Sequence, residues 1–93
     1  MKKKLSRLIS EIEIEEIIGT TDKNVVSLES DSRKAVKDGI FVAVRGVTTD
    51  GHKYIPVVAS NHVAAIVCEE FPSSYEKGIT YIRVKNSAKA LGE

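Results

Sequence analysis

Three consecutive residues, Asp31, Ser32 and Arg33, combine a carboxylate, a hydroxyl and a guanidinium in one short polar segment. Hydroxyl and backbone N–H groups bind phosphate oxygens, and a guanidinium can bind them through two parallel hydrogen bonds. The segment is therefore a candidate for binding a phosphate-bearing ligand. On the residues alone a local role explains it better, because Asp31 or Ser32 could cap a turn while Arg33 pairs with a surface carboxylate.

A second polar segment, residues 45–52, follows the apolar run 40–44 and contains two glycines. Taken alone, it is typical of a turn in which Asp50 caps the helix that begins beyond Gly51. Both polar segments adjoin predicted buried strands, and ligands of α/β sheets bind in loops outside the strand ends. The two segments are therefore the first candidates for a binding surface.

Few other residues support catalysis. The sequence contains neither a GxxxxGK[ST] nor a GxGxxG phosphate loop. His52 and His62 lie on separate segments without a further ligand set, which argues against a zinc site. Ser32 lies outside any GxSxG elbow. Cys68 ends an apolar run and is expected to be a buried, unreactive thiol.

Hydrophobic periodicity predicts helices and strands that alternate along the chain. Leu5, Leu8 and Ile9 recur at the spacing of an amphipathic helix. The predicted strands span residues 25–32, 40–44, 64–68 and 79–84, and further helices are predicted over residues 54–60 and after Asn86, a candidate cap. Continuous apolar strands suit a sheet covered on both faces. We therefore predict an α/β fold, a small single domain with a mixed β-sheet flanked by helices.

The composition limits the class of partner. The 93 residues include 14 Lys and Arg against 13 Asp and Glu, a formal net charge of +1. Nucleic-acid binders that depend on phosphate contacts normally have a clear basic excess, so no nucleic acid is expected. There is no apolar run of about 20 residues, which a membrane span needs, and no apolar leader follows the basic start. We expect no membrane and, with one cysteine, a reducing intracellular compartment.

The length is small for an enzyme that binds two substrates and a cofactor. A binding module or a piece of a larger protein fits 93 residues better. The helix predicted after Asn86 has room for about one turn, and isolated helices need more than about a dozen residues in water. We therefore expect the native chain to continue beyond residue 93.

Read in order, four segments resemble the amino-terminal domain of the Mur ligases. They are DSRK at 31–34, IFVAVRG at 40–46, DGHKYI at 50–55 and AAIVCE at 64–69. The family pattern is DSR, a short turn, LFVA-x-x-G, a gap of three residues, DGH-x-(F/Y)-I, a helix and an AAIV-type strand. The resemblance covers essentially the whole chain. Of the two branches that share this module, the leader 5–9 and the strand 25–28 resemble MurE more than MurF.

The resemblance implies a three-domain, cytoplasmic, ATP-dependent ligase of peptidoglycan synthesis. MurE members phosphorylate the carboxylate of UDP-N-acetylmuramoyl-L-alanyl-D-glutamate, and the amine of meso-diaminopimelate or L-lysine then attacks the acyl phosphate. ATP and magnesium belong to the central domain, so this chain alone is expected to hold no cofactor or metal and to be inactive. Its implied partners are the UDP-linked substrate and its own central domain, and a monomer is expected.

The resemblance also implies a site for the UDP end of the substrate. Carried over by position, the contacts fall at Ser30, Ser32, Val47, Thr48 and Thr49, with possible support from Asp31, Arg33, Asp50, Gly51 and His52. Ser32 belongs to the DSR motif itself and would contribute its hydroxyl. The contact at Ser30 could be made by backbone, and the contacts of 47–49 would be mainly backbone contacts to the uracil edges. No catalytic residue is implied in this chain.

Two departures from the pattern affect turns. The family turn Pro-Gly-Asp is here Lys37-Asp38-Gly39, in which Gly39 is free to take a positive φ. Where relatives end the next helix with Gly-Ala, Asn61 precedes His62 and is expected to supply the left-handed cap. Two alternatives stay open: a MurF-type domain, which serves addition of the terminal dipeptide, and a non-catalytic interaction module with this fold.

Overall fold

Short strands and helices alternate along the computed structural model, which describes residues 3–45 and 50–92. The strands are β1 (Lys3–Lys4), β2 (Ile14–Ile18), β3 (Asn24–Val25), β4 (Leu28–Glu29), β5 (Ile40–Val42), β6 (Ala65–Cys68) and β7 (Thr80–Val84). The α-helices are α1 (Leu5–Leu8), α2 (Ile55–Ser60) and α3 (Ser87–Gly92). Single turns of 3-10 helix span Ile9–Glu11, Ser32–Lys34 and Gly51–Tyr54. No helix in the described ranges has the length and apolar character that crossing a membrane requires.

Five of the strands form one mixed sheet in the order β2-β7-β6-β5-β4. The four strands from β4 to β7 are parallel, and β2 pairs antiparallel with β7 at one edge. A small antiparallel ladder joins β1 to β3. The predicted α/β fold with a mixed sheet is confirmed.

The alternation of side chains along β5 divides the core into two layers. Ile40 and Val42 pack with Leu5 of α1 on one face, while Phe41 packs with Ile55 of α2 on the other. Every residue of β5 and β6 is buried. Continuous apolar strands are what a parallel sheet covered on both faces requires.

The predicted strand 25–32 is interrupted. β3 pairs with β1, whereas β4 pairs with β5, so the chain passes from one ladder to another between Val25 and Leu28. β4 is the edge strand of the large sheet, and its Leu28 is 49% exposed. The alternating pattern of residues 25–32 was therefore insufficient to predict one strand, because the pairing partner changes within the segment.

Two turn predictions were wrong. The positive φ of the 37–39 turn belongs to Asp38, at 64°, and not to Gly39. Gly39 instead lies close to its neighbours: an added Cβ would lie 2.5 Å from Ser27 Oγ and 3.2 Å from the Val36 carbonyl oxygen, so the Ser27 side chain would have to move. After α2, Asn61 has a φ of −89° and His62 takes the left-handed backbone at 62°. The helix ends at Ser60, as predicted, and the Asn61 and His62 N–H groups bond to the carbonyl oxygens of Val58 and Ala59. The left-handed residue therefore comes one position later than predicted.

Candidate functional site

The two polar segments meet at one edge of the sheet. β4 and β5 are parallel neighbours, so the segments that follow them leave from the same edge. There they border an open cleft of about 490 Å³. Its lining consists of Ser30, Asp31, Ser32, Arg33, Val44, Gly51 and Tyr54. The structure thus brings the DSR segment together with Gly51, while Val47, Thr48 and Thr49 lie outside the described residues.

The first polar segment folds as a turn capped by Asp31. The Asp31 carboxylate accepts the Arg33 backbone N–H at 2.9 Å and the Arg33 Nε and Nη2 groups at 3.1 and 3.0 Å. These bonds hold the pKa of Asp31 below its ordinary value, with the side-chain bond to Arg33 the largest cause. The local role predicted from the residues is confirmed, and it fixes the direction of the Arg33 guanidinium.

The same turn leaves donors facing the cleft. The Arg33 side chain is 87% exposed, and its Nη1 group bonds to no described residue. The Ser32 hydroxyl likewise has no hydrogen-bond partner within 3–45 and 50–92. The Ser30 N–H is already donated to the Glu29 carboxylate at 3.2 Å. A backbone contact from Ser30 would therefore have to use its carbonyl oxygen.

The second polar segment forms an equivalent turn capped by Asp50, as predicted. Asp50 Oδ1 accepts the His52 backbone N–H at 2.9 Å and lies 2.7 Å from His52 Nδ1. The other ring nitrogen, Nε2, accepts the Glu69 N–H at 2.9 Å, so the ring hydrogen is on Nδ1 and points to Asp50. The backbone bond from His52 is the largest cause that lowers the pKa of Asp50. His52 therefore braces this turn against the end of β6.

Arg45 joins three carboxylates behind this turn. Its guanidinium lies 3.4 Å from Asp50, 3.5 Å from Glu69 and 2.9 Å from Glu70. Glu69 also accepts the Ser87 N–H at 2.9 Å, the largest cause that lowers the pKa of Glu69. Arg45 is thus neutralised by acidic partners, and Asp50 and His52 line a separate cleft of about 290 Å³ with it.

Sequence reasoning missed Arg45, Glu69 and Tyr54. Arg45 follows β5, and Glu69 follows β6, its parallel neighbour, so strand order was the signal that could have paired them. Tyr54 ends the 3-10 helix that Asp50 caps and is half-buried in the cleft wall. The Lys53 ammonium lies 5.1 Å from the centroid of the Tyr54 ring. Cap spacing alone could have placed Tyr54 about one turn beyond Asp50.

The remaining reactive groups do not assemble into a centre. In the part of the chain that the structure describes, no group of three His, Cys, Asp or Glu side chains could hold a metal ion. Cys68 is buried, and its Sγ lies 3.7 Å from the Ile82 carbonyl oxygen. Burial raises the pKa of this thiol to about 11. The prediction of an unreactive thiol agrees with that environment.

Comparison with known proteins relates this chain to one enzyme family. It is 42% identical over 88 residues to UDP-N-acetylmuramoyl-L-alanyl-D-glutamate--2,6-diaminopimelate ligase of Parabacteroides distasonis and 43% identical over 86 residues to the enzyme of that name from Cytophaga hutchinsonii. These matches cover 95% and 91% of this chain but 18% of each relative.

Solved structures show the same fold. A crystal structure of MurF from Acinetobacter baumannii superposes with a TM-score of 0.71 over 96% of this chain and 18% of that chain, at 20% identity. At that identity the likeness concerns the fold alone. No protein-family model matches the chain.

Proposed function

We propose that this chain, which by sequence and fold is a Mur ligase amino-terminal domain, binds the UDP end of UDP-N-acetylmuramoyl-L-alanyl-D-glutamate. The whole protein would then be the cytoplasmic, ATP-dependent ligase that adds the third peptide residue in peptidoglycan synthesis. The chain spans 18% of the length of those relatives, so this activity is proposed for the longer protein. The chain alone is proposed to be inactive.

One observation carries the proposal: two groups that donate to no partner among the described residues, the Ser32 hydroxyl and Arg33 Nη1, belong to residues that line the cleft at the carboxyl ends of β4 and β5. The Ser32 hydroxyl and the outer edge of the Arg33 guanidinium both border it. A pyrophosphate offers the anionic oxygens that such donors bind best. Two side-chain bonds to Asp31 orient the guanidinium, and its 87% exposure leaves it accessible to an anionic ligand.

The uracil is proposed to lie against Val47, Thr48 and Thr49, which would bind its polar edges mainly through backbone groups. These residues connect Arg45 to Asp50, and those two residues pair with each other in an isolated antiparallel bridge. Ser30 is proposed to contact the ligand through its hydroxyl or carbonyl. Asp50, Gly51 and His52 are proposed to act by holding the second turn in shape.

ATP and magnesium are proposed only for the whole protein. The cleft's donors, a hydroxyl and a guanidinium, suit phosphate oxygens and not a cation, so we assign no metal to the described part of this chain. Among the alternatives, diaminopimelate is proposed as the added amino acid because the relatives with 42% and 43% identity are named for it. The MurF neighbours share the fold at 20% identity, which does not favour their reaction.

Titration of the chain with UDP and with uridine, followed by amide NMR, tests this function. We expect UDP to shift resonances of the 30–33 turn and to bind more tightly than uridine. Ser32→Ala removes a bond to a charged acceptor, and we expect roughly a tenfold loss of UDP affinity. Ser74→Ala is the matched control, since Ser74 is exposed and lies outside the cleft lining.

Two results would contradict the proposal. The wild-type chain could fail to bind UDP at millimolar concentration, or Ser32→Ala could bind UDP as tightly as the wild type. For the whole protein, ligase assays with UDP-linked dipeptide and tripeptide acceptors separate the two branches of the family. The proposed branch requires the dipeptide acceptor and consumes diaminopimelate.

A further inference from the structure

We propose that the hydroxyl of Tyr54 is a further ligand for the pyrophosphate, donating a hydrogen bond from the wall of the cleft that the second turn provides. The inference rests on the proposed UDP site and adds a residue that the family resemblance did not assign there. It divides the phosphate donors between two segments of the chain. The 30–33 turn supplies Ser32 and Arg33, and the 3-10 helix Gly51–Tyr54 supplies the phenol.

The Tyr54 ring is held before any ligand binds. One part of the ring packs against the apolar cluster around Ile55 and Phe41. The Lys53 ammonium lies 5.1 Å from the ring centroid, within the range of a cation–π contact. The residue is only half-buried, and its remaining surface borders the cleft beside Ser32 and Arg33. The apolar body is thus fixed, and a polar tip remains for the ligand.

Tyr54 and Arg33 line the same cleft. The guanidinium is oriented there by its bonds to Asp31 through Nε and Nη2. Within the described residues, the Tyr54 hydroxyl has no hydrogen-bond partner. A neutral phenol donates one hydrogen, and a guanidinium only donates. Two donors that line one cleft can both bind oxygens of the same anionic ligand.

The two carboxylates near this point already accept hydrogen bonds from the chain. Asp31 binds Arg33 through both carboxylate oxygens, and the Glu29 carboxylate accepts the backbone N–H groups of Ser30 and Asp31. None of the described residues accepts a hydrogen bond from the phenol, so its hydroxyl is able to donate to an external oxygen. A diphosphate supplies several anionic oxygens and can bind Tyr54, Arg33 and Ser32 at once.

The alternative role for Tyr54 is to stack its ring on the uracil. Both roles place UDP in the same cleft, but they depend on different atoms. A phosphate contact requires the hydroxyl oxygen, whereas stacking requires only the ring. Tyr54→Phe removes the hydroxyl and keeps the ring, so this single variant separates the two roles.

The experiment compares the affinities of wild-type and Tyr54→Phe chains for UDP, uridine and inorganic pyrophosphate by calorimetry or NMR titration. We expect Tyr54→Phe to weaken UDP and pyrophosphate about three- to tenfold and to leave uridine binding unchanged. Tyr75→Phe is the matched control, because Tyr75 is 46% exposed and lies outside the cleft lining. Thermal melts of both variants establish that the fold is retained.

The possible failures are distinguishable. If Ser32→Ala weakens UDP binding but Tyr54→Phe does not, the inference is wrong and the proposed function stands. If Tyr54→Phe weakens uridine as much as UDP, the hydroxyl does not act on phosphate and the inference is again wrong. If the wild-type chain binds neither UDP nor pyrophosphate, the proposed function and the inference fail together.

Discussion

The two capped turns at the edge of the sheet are built alike and end differently. In each, an aspartate Oδ1 accepts the backbone N–H of the residue two positions later and also bonds its basic side chain. In each, a 3-10 helix follows the aspartate. Yet the Arg33 side chain is 87% exposed, whereas the His52 side chain is 13% exposed.

The surroundings of the turns cause the difference. The first turn follows an edge strand, and among the residues that the structure describes its basic side chain bonds only to Asp31, which caps the turn. The second turn lies against β6, where His52 Nε2 accepts the Glu69 N–H. One local motif therefore presents a cation to a cleft in one place and braces the fold in another. Neighbouring strands, and not the turn, determine which outcome occurs.

The middle residues of the two turns, Ser32 and Gly51, also differ in exposure. Ser32 borders the cleft, whereas Gly51 is buried. A Cβ added at Gly51 would lie 3.0 Å from Val44 N and 3.2 Å from the Ala43 Cα, both backbone atoms that cannot rotate away. Serine is thus compatible with the first turn and glycine is required in the second.

Exchanging the middle residues should produce the largest effect. Gly51→Ser forces a side chain against the backbone of residues 43–44, and we expect a loss of about 1–3 kcal/mol in the free energy of unfolding. The reciprocal variant, Ser32→Gly, should change stability by less than about 1 kcal/mol while it weakens UDP binding. Urea unfolding and UDP titration of both variants measure the two effects. Equal stability of Gly51→Ser and wild type would contradict the packing argument.

Removing the basic side chain of each turn should give the next largest effects. His52→Ala should reduce stability, whereas Arg33→Ala should reduce UDP binding. His52→Ala deletes the acceptor of the Glu69 N–H, and a partly buried donor left without a partner costs about 1–3 kcal/mol. Part of that loss is recovered where water reaches the Glu69 N–H. Arg33→Ala should leave stability unchanged, because surface ion pairs contribute little, and should weaken UDP binding.

The same urea and UDP measurements test that pair of variants. If Arg33→Ala destabilised the chain as much as His52→Ala, the proposed division between a ligand-binding turn and a bracing turn would be wrong. His52→Gln serves as a partial rescue, since its side-chain oxygen can accept an N–H.

Local patterns predicted the parts of the site that depend on neighbours in sequence. The cap at Asp50 was predicted from the local sequence, and the cap of the first turn was narrowed to Asp31 or Ser32. The buried strand 40–44 follows from its continuous apolar residues. The resemblance to the Mur ligases pointed to the DSR segment, which lines the cleft. Interactions between residues close together in the chain determine these features, so they could be predicted from the local sequence.

The parts that could not be predicted depend on the strand register. Arg45 meets Glu69 and Glu70 because β5 and β6 are adjacent and parallel. Hydrophobic periodicity predicts strands but does not predict which strands pair. The break between β3 and β4 arises in the same way, since each strand has a different partner. The left-handed residue after α2 is His62 and not Asn61, because the Asn61 N–H still bonds back to the Val58 carbonyl oxygen before the chain changes direction.

The smallest expected difference between the turns is in how much unfolding free energy each aspartate contributes as the pH is lowered. The pKa of Asp31 is lowered chiefly by the Arg33 side chain, and that of Asp50 chiefly by the His52 backbone N–H. A carboxyl with a lower pKa in the folded chain contributes stability above its unfolded pKa, about 3.9 for aspartate. That contribution disappears as the pH falls through the folded pKa, because the unfolded chain binds protons first. Urea unfolding between pH 5 and pH 2 should therefore show a falling free energy of unfolding.

Asp31→Asn and Asp50→Asn should each flatten that fall, because an amide keeps an acceptor for the N–H but does not titrate. The flattening should be larger for Asp50→Asn, whose carboxylate also faces Arg45 at 3.4 Å and belongs to the bracing network. Asp31 interacts mainly with an exposed guanidinium, and solvent screens that pair. A larger flattening in Asp31→Asn would mean that the ligand-binding turn, and not the bracing turn, stabilises this edge of the sheet.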